Sequence, residues 1–136
     1  MAPMIFARAI LASEPLRVFN NGEMWRDFTY IDDIVAGVVG CLDRPPAAAA
    51  GAPPVRLLNI GNNQAESVSA LVALLEQALG RQAVVRFAPR PAADVEETCA
   101  AVEAISALTG FAPRTPLSEG IPRFAAWLLA WRRTIL

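Results

Sequence analysis

An α/β fold is predicted for this 136-residue chain by two observations: short apolar strands alternate with helical runs, and those strands differ in hydrophobicity. About five helices and four short strands are expected. At this length a single domain buries a core without disulfide or metal staples. The hydrophobic fraction, 54%, is high for a free-standing domain, so part of the surface is expected to pack against sequence outside these residues.

The first run, MIFARAILA at residues 4–12, has the spacing of a short buried helix stopped by Ser13 and Pro15. LRVF then forms a short strand leading into Asn20-Asn21-Gly22, a tight-turn signal, and MWRDF forms a second strand. Ile31, Ile34, Val35, Val38, Val39 and Leu42 follow at helical spacing on one face, with Asp32 and Asp33 in the first turn, where the helix dipole favours carboxylates. That helix is expected to end near Asp43, before Pro45-Pro46.

Residues 44–54 read as a low-complexity flexible loop. VRLLNIG after it reads as a strand buried on both faces of a parallel sheet. GNNQAES turns into a helix with Ser67 as N-cap, Val68, Leu71, Val72, Leu75 and Leu79 as its buried stripe, and Gly80 as its stop. AVVRF is a further strand. LRVF, MWRDF and AVVRF are expected to share a small secondary sheet. After a polar loop, a short helix at residues 102–108 closes with Gly110. The last helix opens at Thr115-Pro116, with Pro122 predicting a kink or a later start. It covers the core and places Arg132 and Arg133 at the negative end of its dipole; a membrane-surface helix is the less common reading.

All twelve basic residues are arginine, and the chain contains neither lysine nor histidine. A Walker-type loop, a His-dependent hydrolase and a Tyr-x-x-x-Lys dehydrogenase are thereby excluded within this chain, because each needs a residue that is absent. The lone tyrosine, Tyr30, is followed four residues on by Ile34. A net charge of -1 argues against nucleic-acid binding. Cys41 and Cys99 read as buried free thiols in a reducing cytoplasm. No stretch has the pattern of a signal peptide or of a membrane span, so a soluble cytoplasmic protein is expected.

The stretch VFNNGEMWRDFTYIDDIVAGVV resembles the nucleotide-sugar epimerase and dehydratase branch of the extended short-chain dehydrogenases. Within that branch it is most similar to UDP-glucuronate 4-epimerases of the capsular-polysaccharide type. RLLNIGNNQ, LEQALGR and ALTGFAPRTPLSEGI support the resemblance in the same order and spacing. What it implies is the C-terminal nucleotide-sugar-binding region of a Rossmann-type enzyme, spanning residues 1–136 and incomplete without an N-terminal NAD-binding domain. Residues 31–80 would then include a helix-strand-helix segment packed on that Rossmann sheet. Met1-Ala2-Pro3 is similar to an internal point just past the family's G-R-P-D segment. The Gly-rich loop, the catalytic Ser/Thr and the Tyr-x-x-x-Lys are accordingly expected in a partner domain or split partner chain.

By the same resemblance Arg26 matches the arginine that binds the UDP diphosphate, a task suited to a guanidinium fork. An exposed Arg26-Asp27 pair is the bland alternative. Arg17, Val18 and Phe19 match the strand flanking the uracil, and Ala2 the position beside the base. Ala93-Asp94-Val95 stands where relatives have Gly-Asp-Val, and Arg90 lies one residue from the second phosphate-binding arginine of some relatives. Arg90 and Asp94 therefore join the candidate substrate-binding residues. Asp27, Asp32 and Asp33 read as structural. Ala101 replaces an Asp that would cap the next helix, at a cost of about 1 kcal/mol.

The implied function is UDP-sugar binding within an NAD-dependent epimerase that oxidises the sugar at C4 and returns the hydride to the opposite face. The chain alone is expected to bind no NAD, to carry no catalytic residue and to hold no metal. Alternatives are a non-enzymatic remnant or docking module of a split epimerase, and a relative of the dTDP-glucose dehydratases or UDP-glucuronate decarboxylases. Apolar faces of the Ile31 helix and of VRLLNI are expected to promote self-association.

Overall fold

A computed structural model describes residues 2–48, 51 and 53–135. Met1 and residues 49, 50 and 52 of the expected 44–54 loop lie outside that set. The order of elements is α1 (Ala2–Ala12), β1 (Pro15–Phe19), a 3-10 turn (Asn20–Gly22), β2 (Trp25–Asp27), α2 (Ile31–Leu42), β3 (Ala65–Ser67), α3 (Val68–Leu79), β4 (Val84–Ala88), α4 (Glu103–Thr109) and α5 (Leu117–Ile135).

The chain is α/β, with five helices and short strands as expected, but the strands pair differently. β1 and β4 run parallel, in register from Pro15 opposite Val84 to Phe19 opposite Ala88. β2 does not join them; it pairs antiparallel with β3, at residues expected to form a turn. AES is too short and too polar to announce itself, and its pairing depends on β2, about forty residues away. A bridge from Trp25 to Glu97 adds the loop after β4 to the other edge of β2.

VRLLNI is not a strand. Residues 53–60 adopt no regular structure and no partner strand for them lies among the described residues. A strand needs its backbone N–H and C=O groups paired. Leu57 is 91% exposed, so the apolar side chains that suggested a buried strand are uncovered here.

The main core joins Ala7 and Ile10 of α1, Leu16 and Val18 of β1, Leu71, Leu75 and Leu79 of α3, and Ile121, Ala125 and Leu128 of α5. α3 carries the stripe read from its periodicity. Its N-cap is Ser67, whose hydroxyl accepts from the Ala70 N–H at 3.0 Å, and Gly80 closes it in the left-handed conformation with φ 64°. Gly110 closes α4 in the same way. α5 starts at Leu117, ahead of Pro122 rather than after it. The Pro116 carbonyl accepts the N–H groups of Glu119 and Gly120 at its start, and the Thr115 N–H just before is held by Asp33.

A smaller core of Val102, Ile105 and Phe111 takes in Ile60 and Cys41. α2 packs here with its small side inward: Gly37 faces Ile60 and Gly40 faces Thr109. Its apolar stripe points outward, Ile31, Val35, Val38, Val39 and Leu42 being 49% to 71% exposed. Both cysteines are free, but neither is buried: Cys41 is half-covered and Cys99 is exposed.

Candidate functional site

The C-terminal ends of parallel strands are where α/β folds hold ligands. Phe19 opposite Ala88 is the last registered pair of β1 and β4, and both strands lead from there into the candidate residues. β4 runs through Pro89 into Arg90, and β1 runs through the Asn20–Gly22 turn toward Arg26. That turn requires positive φ at Asn20, Asn21 and Gly22. Gly22 is required for a second reason, since a Cβ there would sit 2.0 Å from the Ser69 hydroxyl.

Alternation along β1 separates the three residues expected beside the base. Val18 is buried in the core. Arg17 and Phe19 share the opposite face, with the Arg17 guanidinium 4.9 Å from the Phe19 ring centroid, within cation–π range. Arg86 on β4 is in register with Arg17 and is also exposed, so this face is basic before Arg90 is counted. Arg86 is not among the residues expected from the resemblance, although the period-2 pattern of VVRFA carries it.

Arg26 and Arg90 meet at one residue, Asp94. The Arg26 Nη2 donates to Asp94 Oδ1 at 2.8 Å and to the Val95 carbonyl at 2.7 Å. Its Nη1 donates to the carbonyls of Trp25 at 2.6 Å and Glu96 at 3.1 Å. The Arg90 Nη1 donates to the Asp94 backbone carbonyl, and the rest of that exposed guanidinium faces solvent. The strand-edge contacts of Trp25 with Glu96 and Thr98 set this arrangement, carrying residues 94–97 across β2. The ion partner of Arg26 is thus Asp94 and not its neighbour Asp27.

Asp27 has a different task. Its two carboxylate oxygens accept backbone N–H groups from Asn62 at 2.8 Å, Asn63 at 3.1 Å and Ala100 at 2.9 Å. Asp33, 6% exposed, accepts from the N–H groups of Arg114 and Thr115 at 3.2 and 2.9 Å and so ties α2 to the start of α5. Both read as structural in the sequence and are structural here. Asp32 is exposed in the first turn of α2. Ala2 lies at the start of α1, packed against the core.

A surface depression of about 390 Å³ beside Asp27, lined also by Thr29, Asn59, Gly61, Thr98 and Cys99, includes none of Arg26, Arg90 or Phe19. It is bounded by the unpaired residues 58–61. No cluster of side chains suited to a metal ion occurs among the described residues, and none of their helices is long and apolar enough to cross a membrane.

Comparison with known proteins adds independent findings. Residues 2–61 match the NAD dependent epimerase/dehydratase family. A probable UDP-glucuronate 4-epimerase of Rhizobium meliloti is 34% identical over 93% of this chain and 41% of its own length. UDP-glucuronate 4-epimerase 1 of Arabidopsis thaliana is 36% identical over 96% of the chain and 33% of its own length. The crystal structure of a UDP-glucuronic acid 4-epimerase from Bacillus cereus, in complex with UDP-glucuronic acid and NAD, superposes with a TM-score of 0.77 and 27% identity, over 94% of this chain and 40% of that one. The chain therefore spans about two fifths or less of the length of these relatives.

Proposed function

The chain belongs to the NAD-dependent epimerase/dehydratase family, as a C-terminal portion of the Rossmann-type fold, and from that premise we propose that it binds the nucleotide diphosphate of a UDP-sugar. The parent activity is proposed to be 4-epimerisation of UDP-glucuronate. The observation that carries the reading is the convergence of Arg26 and Arg90 on Asp94, at the mouth of the β1–β4 pair and beside a face bearing Arg17 and Arg86. Two guanidinium groups held against one loop suit a diphosphate, which offers several anionic oxygens to planar N–H forks. Phe19 offers a flat apolar surface for the base, with the β1 backbone beside it. Val18, buried, contributes through that backbone.

NAD is the family's cofactor, but the residues present do not fit it. The sequence has no Gly-x-Gly-x-x-Gly loop, and the close-approach glycines Gly22 and Gly61 already have Ser69, or Asp27 and Ala100, where a pyrophosphate would need room. No hydride step is therefore assigned to these residues. Their contribution is to hold the substrate, and positioning is itself a large part of a catalytic rate. The exposed stripe of α2 and the uncovered Val55 and Leu57 support docking of this region on a dinucleotide-binding domain, in the same chain or a partner. Where no such domain is present, these faces would favour self-association. A cytoplasmic setting suits both sugar nucleotides and free thiols.

A second reading, a docking module without substrate turnover, is favoured by one observation: both Nη groups of Arg26 already have protein acceptors. Assays of the chain with UDP-glucuronate and NAD test the proposal in part. No NADH and no epimer are expected, and turnover by these residues alone would contradict the division of labour proposed here.

A further inference from the structure

Arg26 presents four Nη hydrogens, and four acceptors surround them. Three are backbone carbonyls of Trp25, Val95 and Glu96, those of Trp25 and Glu96 also taking part in the ladder between β2 and the loop. The fourth is the Asp94 carboxylate, the only charged acceptor and the only one on a rotatable side chain. The Asp94 side chain is 39% exposed and that of Arg26 23%. Asp94 is thus the more exposed member of the pair.

We propose that Asp94 is a built-in competitor of the substrate diphosphate: it occupies the phosphate position on Arg26 in the free protein and swings away when a phosphate oxygen takes the Nη2 donor. This rests on the diphosphate reading above and adds a gate to it. The exchange is a swap of one acceptor. The guanidinium stays where the three carbonyls hold it, so the site is preorganised and only a short side chain moves. Arg90 stays on the loop through the Asp94 backbone carbonyl, which the swing of the side chain leaves in place. A carboxylate left facing a bound diphosphate without its arginine would repel it, so Asp94 cannot itself be a phosphate ligand.

The competition has a cost to affinity of the size of a partly exposed ion pair, about two- to fivefold in binding constant. Calorimetric titration of the full 136-residue chain with UDP tests it. Asp94→Asn keeps shape and one hydrogen bond but removes the charge, and is expected to bind UDP about two- to fivefold more tightly than wild type. That gain is expected to vanish when Arg26→Ala is added. Equal or weaker binding by Asp94→Asn overturns the gate while leaving the diphosphate reading intact; no binding by any variant overturns both. A readout on unaltered protein guards against a misfolded variant. On saturation with UDP, the side-chain carboxyl carbon resonance of Asp94 is expected to shift while those of Asp27 and Asp33 stay fixed. An unmoved Asp94 resonance in UDP-saturated protein overturns the proposal.

Discussion

The Asp27 carboxylate accepts the backbone N–H of Ala100 at 2.9 Å, joining β2 to a segment 73 residues later in the chain. The same carboxylate holds the N–H groups of Asn62 and Asn63. One side chain thus pins two loops that otherwise have few regular hydrogen bonds. Removing it leaves three backbone donors, two of them partly buried, without their acceptor. Asp27→Ala is expected to lower stability by about 3 kcal/mol, and Asp27→Asn by about half of that. Urea unfolding followed by tryptophan fluorescence measures both.

Gly61 is required by the same cluster. A Cβ at that position would lie 2.3 Å from the Ala100 Cβ and 2.6 Å from Asp27 Oδ2. Its φ is not in the left-handed region, so the constraint is space alone. Gly61→Ala is expected to cost about 2 kcal/mol through overpacking, again read from the urea midpoint.

Helix starts give a matched pair of tests. Ser67→Ala removes the hydroxyl that accepts the Ala70 N–H and is expected to cost about 1 kcal/mol. α4 begins with no side-chain cap. Ala101→Asp, at an exposed position just before it, is expected to gain about 0.5 kcal/mol from the helix dipole. Thermal unfolding of the two variants should move in opposite directions.

The outward stripe of α2 predicts concentration-dependent association of the chain. Val35→Glu combined with Leu42→Glu puts charge on that exposed face without touching either core. Sedimentation velocity should show a smaller weight-average species for the double variant than for wild type, with little change in melting temperature.

Local rules carried much of this fold into the sequence. The Ser67 cap, the Gly80 and Gly110 stops and the stripe of α3 depend on neighbours within one or two turns, and each stands where its pattern puts it. VRLLNI failed because hydrophobicity reports a need for burial but not whether a partner strand is at hand. β3 was invisible because its pairing with β2 is decided by tertiary contact rather than by the propensity of AES. Arg26 and Arg90 were singled out through a family resemblance. Their meeting at Asp94 was not legible, since it depends on the loop at 94–97 crossing β2, and neither the spacing nor the composition of the sequence encodes that crossing.

The central claim is that the two arginines form a diphosphate site, and titration calorimetry with UDP tests it most directly. Wild type is expected to show saturable one-site binding. Arg26→Ala should weaken it at least tenfold, about the loss of one charge-assisted contact, and Arg90→Ala should weaken it severalfold. Both variants should keep a cooperative melting transition. Unchanged UDP affinity in folded Arg26→Ala and Arg90→Ala, or no UDP binding by folded wild type, would contradict the account.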